Sequence, residues 1–319
     1  MPRALILGAT GQDGQYLSDF LLTKNYEVLG VSRSKNPFQE NPLSLRRPAF
    51  KSVDISNATL LKNVLDDFNP DEIYNLAGES SVSRSFKEPS ETVESNVVGV
   101  VNLLTTVMQN PKLENTRIFQ ASSAEMFGSS SSQLNESSPF NPVSPYSVSK
   151  LAAHKISQSF RQNFGTWVSC GILFNHESEL RPSSFVFQKI ITAAVAISKG
   201  ETNKLTLGNL DIFRDWGYSR DYVEAMWRIL QADSPDDFVI ATGKMHSLRD
   251  LITLVFSNLG ITSEIKELIE FDPSLSRPSD VERTWGDTQK IEEKLNWKAK
   301  TSFEELVDIL IQHQLKKHE

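Results

Sequence analysis

Cysteine is almost absent: Cys170 is the single one in 319 residues. That leaves no disulfide framework and no Cys/His metal site to be expected from spacing. It lies in the apolar run from Val168 to Phe174, where a small buried hydrophobe is the expected role rather than a reactive thiol. Positive charge is also short, with 33 Lys and Arg against 40 Asp and Glu, a net charge of −7 and a pI near 5.4. A nucleic-acid or anionic-membrane role therefore has no electrostatic support, although phosphates could still bind locally. No apolar run is long enough to span a bilayer, and the amino terminus enters a strand and a glycine turn with no leader pattern before it. The expected location is the cytoplasm. There is no repeat, coiled coil or disordered tail, and the serine run after Gly128 reads as a flexible loop beside the site.

What is present is an alternation of short apolar strands with helical periodicity. The run Arg3–Leu7 leads into Gly8, Thr10, Gly11, Gln12, Asp13 and Gly14, after which Tyr16, Leu17, Phe20 and Leu21 recur at helical spacing. A strand, glycine turn and helix in this order let the backbone approach a pyrophosphate and aim helix N–H groups at it. A tight turn with no ligand is the plainer alternative. The next strand ends in Ser32-Arg33-Ser34-Lys35, with no acidic residue for a ribose 2′-hydroxyl. Arg33 suits a 2′-phosphate instead, so NADP is the expected cofactor. Asp54, beside Ile55, stands where it could hydrogen-bond an adenine amino group or cap the following segment. The fourth strand runs into Leu76, Ala77, Gly78 and Ser80, small enough for close approach to a cofactor. A long helix is expected from about Ser90 to Met108, its stripe of Val93, Val97, Val100, Val101, Leu104 and Val107 forming core and at most a subunit contact.

The stretch from Gln120 to Lys150 carries the acid/base candidates. Ser123 and Glu125 fall at the carboxyl end of an apolar strand, where open α/β sheets bind ligands. Tyr146 and Lys150 are four apart at the start of a helix, so they share a face and the ammonium can lower the phenol's pKa. A bare Tyr-x-x-x-Lys is more often a solvated helix face; it gains weight from the glycine turn and the Ser-Ala-Glu after the strand. The sixth strand ends in Asn175-His176-Glu177-Ser178, and a lone histidine such as His176 is usually structural. Beyond it the alternation loosens, and Asn209, Arg214 and Arg277 sit among turn residues where arginine could bind phosphate bidentately. Helices near 223–231, 247–259 and 303–313 are expected to pack this lobe. The expected fold is α/β, a Rossmann-type doubly wound parallel sheet over residues 1–175, with a smaller carboxyl-terminal α/β substrate lobe over 176–319 and some segments returning to the first domain.

At these residues the chain resembles the extended short-chain dehydrogenase/reductases, and most closely the GDP-mannose 4,6-dehydratases. The resemblance runs nearly end to end through GATGQDGQYL, PDEIYNLAGESSV, QASSAEMFG, SPYSVSK, GILFNHES, GNLDIFRDWG, DYVEAMW and RPSDVERTWGD. It implies an internal redox elimination on a GDP-sugar. Tyr146, aided by Lys150 and Ser123, would take the O4 proton, and Glu125 would take the C5 proton and help expel the C6 hydroxyl. It also implies that His176 and Arg181 contact the nicotinamide cofactor, that Ser81 and Lys189 lie near nucleotide-sugar positions, and that the protein is a homodimer or homotetramer. The chain departs from the family pattern at Glu179-Leu180-Arg181-Pro182, where the family has Pro-Arg-Arg-Gly, at Phe187-Gln188 for Thr-Arg, and at Ser80-Ser81-Val82 for Ser-His-Val. These departures bear on the substrate more than on the chemistry. Three readings stay open: a 4,6-dehydratase for GDP-mannose or another nucleotide sugar, which needs Glu125; a 4-keto-sugar reductase, which needs only Ser123, Tyr146, Lys150 and external NADPH; and a binding protein without activity.

Overall fold

The computed structural model describes residues 1–34, 43–202, 204–263, 265–272 and 279–317. Its centre is a seven-stranded parallel sheet made of β1 (Arg3–Leu7), β2 (Glu27–Ser32), β3 (Ala49–Ser52), β4 (Glu72–Asn75), β5 (Arg117–Ser123), β6 (Val168–Leu173) and the strand Asp237–Ile240. Across the sheet the order is Asp237–Ile240, β6, β5, β4, β1, β2, β3. The chain moves outward from β1 through β2 to β3, then crosses back to β4 on the other side of β1. That reversal opens a crevice at the carboxyl ends of β1 and β4, the place where doubly wound sheets hold ligands.

Each face of the sheet is covered by helices whose apolar stripes fit its Val, Ile and Leu side chains. Gln12–Thr23 and Ser219–Leu230 bury Tyr16, Leu17, Val223, Met226 and Ile229 with Phe119 on one face. On the other, Ala58–Phe68, Gly99–Gln109 and Pro145–Phe164 bury Leu61, Leu65, Val100, Leu103, Leu104 and Ala153. A separate core joins Val186–Ser198, Leu248–Asn258 and Phe303–Lys316. The helix expected near residues 223–231 thus packs on the central sheet rather than in the carboxyl-terminal lobe.

A second expectation changes between residues 89 and 109. The expected helix runs without a gap from Pro89 to Gln109, but a π turn at Glu94–Val98 stands between its α-helical parts Pro89–Val93 and Gly99–Gln109. The extra residue of a π turn rotates the downstream face, so the expected stripe splits: Val100, Leu104 and Val107 are core, whereas Val93 and Val101 are exposed. The turn also brings Asn96 inward, where its side chain bonds the Glu79 amide at 2.8 Å and the Ser149 hydroxyl at 2.9 Å. The serine run after Gly128 is tied to the far end of the chain by Ser130 N–H to the Arg283 carbonyl at 3.0 Å.

The glycine turn is fixed by close approach. Gly8 has φ of 86°, and a Cβ there would stand 2.7 Å from the Leu76 carbonyl carbon; a Cβ on Gly14 would stand 2.4 Å from the Gly8 carbonyl oxygen. Both contacts are backbone and cannot yield like a flexible side chain. Gly14→Ala is expected to destabilise the protein by roughly 2–4 kcal/mol and to weaken dinucleotide binding together with it. Thermal unfolding and a dinucleotide titration check this; an unchanged midpoint would contradict it.

Candidate active site

Two cavities meet at the carboxyl edge of the sheet. The first, about 400 Å³, is lined by the turn from Gly8 through Thr10, Gly11, Gln12 and Asp13 to Gly14, by Arg33 and Ser34 after β2, by Asp54 and Ile55 after β3, and by Leu76, Ala77, Gly78 and Ser80 after β4. The second, about 420 Å³, holds Ser81, Ser123, Glu125, Tyr146, Lys150, Asn175, His176, Lys189 and Arg214. Asp13, Leu76, Ser80 and Arg181 line both. Two sequence candidates fall elsewhere. Asn209 is exposed and lines neither cavity, and its side-chain Oδ1 accepts from the Asp211 amide at 2.9 Å; Arg277 lies outside the described residues.

The first cavity fits a dinucleotide. The helix Gln12–Thr23 begins at Gly11 with no side-chain cap, leaving its first N–H groups to face the cavity over a backbone that only glycine permits. No acidic side chain stands at the end of β2, where Arg33 and Ser34 form the wall. Asp54 lines the cavity while accepting the Ser56 amide at 2.9 Å, and Asn57 caps the next helix. The helix-cap alternative for Asp54 is thereby taken by its neighbour.

In the second cavity the catalytic candidates come from two elements. β5 delivers Ser123, whose hydroxyl accepts the Glu125 amide at 3.2 Å and caps the short 3-10 turn Ala124–Met126 that presents Glu125. The helix Pro145–Phe164 starts with a capping box at Ser144 and Ser147 and Pro at its first turn, conditions that fix where Tyr146 and Lys150 point. Burial pushes the Tyr146 phenol up to about 12, with the Ser123 hydroxyl pulling it down and Glu125 raising it further. The phenol is therefore raised and not lowered in this arrangement. Lys150 directs its ammonium to the Ala121 carbonyl at 3.0 Å and lies 6.0 Å from the Tyr146 ring centre. Its own pKa falls to about 8 through burial, opposed by the Asp13 carboxylate.

The seam between the cavities is an ion-pair cluster. His176 donates from both ring nitrogens, Nε2 to the Asp13 carboxylate at 2.8 Å and Nδ1 to the Phe174 carbonyl at 2.7 Å, and stacks on Tyr222 with centroids 4.5 Å apart. Burial works against its charge, but the Asp13 carboxylate outweighs that and raises its pKa. His176 lines the second cavity, with the partners expected of a structural histidine. Glu177, 3% exposed, lies 3.6 Å from Arg181, whose guanidinium carbon stacks 3.5 Å from the Phe185 ring centre. Glu177, Ser184, Phe185 and Trp216 line the second cavity and were not singled out from the sequence. Glu177 stands between the chosen His176 and Arg181, while Phe185, at the start of a helix, and Trp216, in a three-residue strand, carry no periodic signal.

One donor set has metal-like spacing among the described residues: His154, Cys170 and Asp237, within 4.8 Å of one another. The spacing rules miss it because the three come together only in the fold. Its carboxylate is already saturated by both Arg161 nitrogens at 2.8 and 2.9 Å, Gln158 at 2.7 Å and the Cys170 amide at 3.3 Å. Burial drives His154 down to about 4 and holds the Cys170 thiol well above its usual value. The cluster is a neutral-imidazole and ion-pair core beneath Ser122, which bonds His154 at 2.9 Å.

This fold, with a glycine-turn cavity opening onto a buried Ser, Tyr and Lys set, defines an extended short-chain dehydrogenase/reductase, a class that uses a nicotinamide dinucleotide. Among solved structures it is similar to the UDP-glucose 4-epimerase of Thermotoga maritima with UDP-glucose (TM-score 0.87, 21% identity, 99% of this chain and 100% of that one). It is likewise similar to the dTDP-glucose 4,6-dehydratase of Bacillus anthracis in complex with NAD (TM-score 0.85, 21% identity, 100% and 98%). The family model described as GDP-mannose 4,6 dehydratase matches residues 5–310, and the chain belongs to that family. Its relatives include GDP-mannose 4,6 dehydratase 1 of Arabidopsis thaliana, 40% identical over 325 residues, covering 98% of this chain and 89% of that protein.

The buried ammonium yields a stability prediction. A lysine whose pKa falls from 10.5 to about 8 on folding carries a penalty of about 3 kcal/mol when charged. That penalty is complete below pH 8, fades between pH 8 and 10.5, and is absent above that. Lys150→Met should therefore remove turnover yet be no less stable than the natural protein at pH 7, with its relative stability declining at alkaline pH. Denaturant unfolding at pH 7 and 10 tests the sign; a variant markedly weaker at pH 7 would contradict it.

Proposed function

We propose that the protein is a GDP-mannose 4,6-dehydratase using NADP, converting a GDP-hexose to its 4-keto-6-deoxy derivative with loss of water. The observation that carries this is the position of Glu125: it lines the same 420 Å³ cavity as Ser123, Tyr146 and Lys150. A reductase needs only the latter three, and Glu125 would then have nothing to do.

Ser123 hydrogen-bonds the sugar O4 and Tyr146 takes its proton. The phenol's high pKa makes it unreactive alone, and Lys150 supplies the positive charge that stabilises the developing phenolate in a dry cavity. A dinucleotide held by Gly8, Gly11, Gly14 and Arg33 in the first cavity would supply a hydride acceptor for C4 and a hydride donor for C6. Oxidation at C4 acidifies C5–H; Glu125 removes that proton and delivers it to the departing C6 hydroxyl, a general acid/base role worth roughly 10²–10⁴ in rate. As C6 is reduced C5 regains a proton, which balances the one Tyr146 took from O4. Asn175, Lys189 and Arg214 sit on the wall available to the nucleotide part of the substrate. Arg33 and Ser34, in place of an acidic residue, support NADP over NAD. Val93, Val98, Val101 and Val148 are exposed on neighbouring helices and support pairing of subunits as a dimer or tetramer. No helix among the described residues is long and apolar enough to cross a membrane, consistent with the proposed cytoplasmic location.

Incubation with GDP-mannose and no added reductant is expected to give a product lighter by one water. Glu125→Gln should lower that elimination by roughly 10²–10⁴ while leaving dinucleotide affinity unchanged. If the variant dehydrates normally, or if the natural protein only consumes NADPH with a 4-keto-6-deoxy sugar nucleotide, the reductase reading replaces this one.

A further inference from the structure

The loop 178–185 separates the two cavities and supplies residues to both, and its first turn carries one of the chain's departures from the family pattern. Glu179 stands there in place of proline. Its carboxylate accepts from Tyr16 at 2.5 Å and from Tyr218 at 3.1 Å. Tyr16, 2% exposed, belongs to the helix whose amino terminus faces the dinucleotide cavity. Tyr218, 7% exposed, ends the strand Trp216–Tyr218, whose Trp216 lines the substrate cavity. The two rings meet edge to face at 6.2 Å, and the Arg220 guanidinium lies 4.9 Å from the Tyr16 ring centre. One carboxylate thus ties three segments together with two phenol donors, and hydrogen bonds to an ionised acceptor are roughly twice as strong as neutral ones.

Two residues further on, Arg181 lines both cavities but is weakly held itself. Among the described residues its buried Nε has no hydrogen-bond partner, and the contacts that orient it are the Phe185 ring and Glu177 at 3.6 Å. Stacking and a loose ion pair do not define a guanidinium's direction as a bidentate pair does. The path of the loop has to do so.

We propose that Glu179 is a positioning residue: by anchoring the loop to Tyr16 and Tyr218 it holds Arg181 in the wall common to both cavities, where the guanidinium meets the bound dinucleotide. This rests on the reading that the first cavity binds NADP. It assigns to a carboxylate the ordering that a proline would give the loop through its fixed φ.

The test is a double-mutant cycle on dinucleotide affinity, measured by protein fluorescence with NADP alone, together with amide hydrogen exchange over residues 178–185. Glu179→Ala is expected to weaken NADP on the order of tenfold and to speed exchange in that loop without speeding it in the central sheet. Tyr218→Phe, a milder change, should shift both in the same direction by a smaller factor. In an Arg181→Ala background, Glu179→Ala should change affinity by less than about twofold, because residues acting through one contact are not additive. Equal effects in both backgrounds would overturn the proposal, since Glu179 would then act by general stability. So would unchanged affinity and exchange in Glu179→Ala. A natural protein that binds no NADP would instead defeat the functional reading, and the proposal with it.

Discussion

The contact on which the site depends is the 2.8 Å bond between Asp13 and His176. It joins the glycine turn after β1 to the extension of β6, two segments 163 residues apart. Gln12 reinforces it from the same turn, donating to the His176 carbonyl at 3.1 Å and accepting from Ser178 at 2.8 Å. These bonds form the floor between the cavities. Together with the Glu179 contacts to Tyr16 and Tyr218, they give the turn that faces the dinucleotide and the loop that faces the sugar a common reference. Asp13 also supplies the field that opposes the desolvation of Lys150, so one carboxylate sets both geometry and charge.

Burial governs the chemistry of the second cavity. Tyr146 and Lys150 are each 8% exposed, and their pKa values move in opposite directions, about 12 for the phenol and about 8 for the ammonium. Both shifts disfavour the charged forms, as desolvation must. In the proposed reaction a proton acceptor is made from this pair by adding charge and hydrogen bonds at the moment of reaction, not by a phenolate that already exists. Glu125 differs in being carried on a short turn at the strand end, within reach of the cavity but outside the helix that fixes the other two. A reaction with two proton transfers at neighbouring carbons needs such independently placed groups.

Much of this was legible in the chain. The strand, glycine turn and helix at residues 3–23 announce themselves because close approach admits only glycine at Gly8 and Gly14, and such a requirement is visible as residue identity. Ser123, Glu125, Tyr146 and Lys150 were legible because strand ends and helix starts have sequence signals. The π turn at Glu94–Val98 was not, since one extra residue leaves the hydrophobic pattern nearly intact while rotating everything after it. The helix Ser219–Leu230 was amphipathic in either lobe, and only the fold shows which sheet it covers. Asn209 was chosen by its neighbours in the sequence, and the fold leaves it exposed and outside both cavities, its Oδ1 bonded to the Asp211 amide.

In the proposed reaction C4 oxidation and C6 reduction occur on one sugar in one cavity, with Tyr146 and Glu125 handling the protons. The most direct measurement is turnover of GDP-mannose carrying deuterium at C4, with no reductant added, followed by mass and NMR analysis of the product. The account predicts a dehydrated product whose label has moved to C6. A product without the label at C6, or no dehydration until NADPH is supplied, would contradict it.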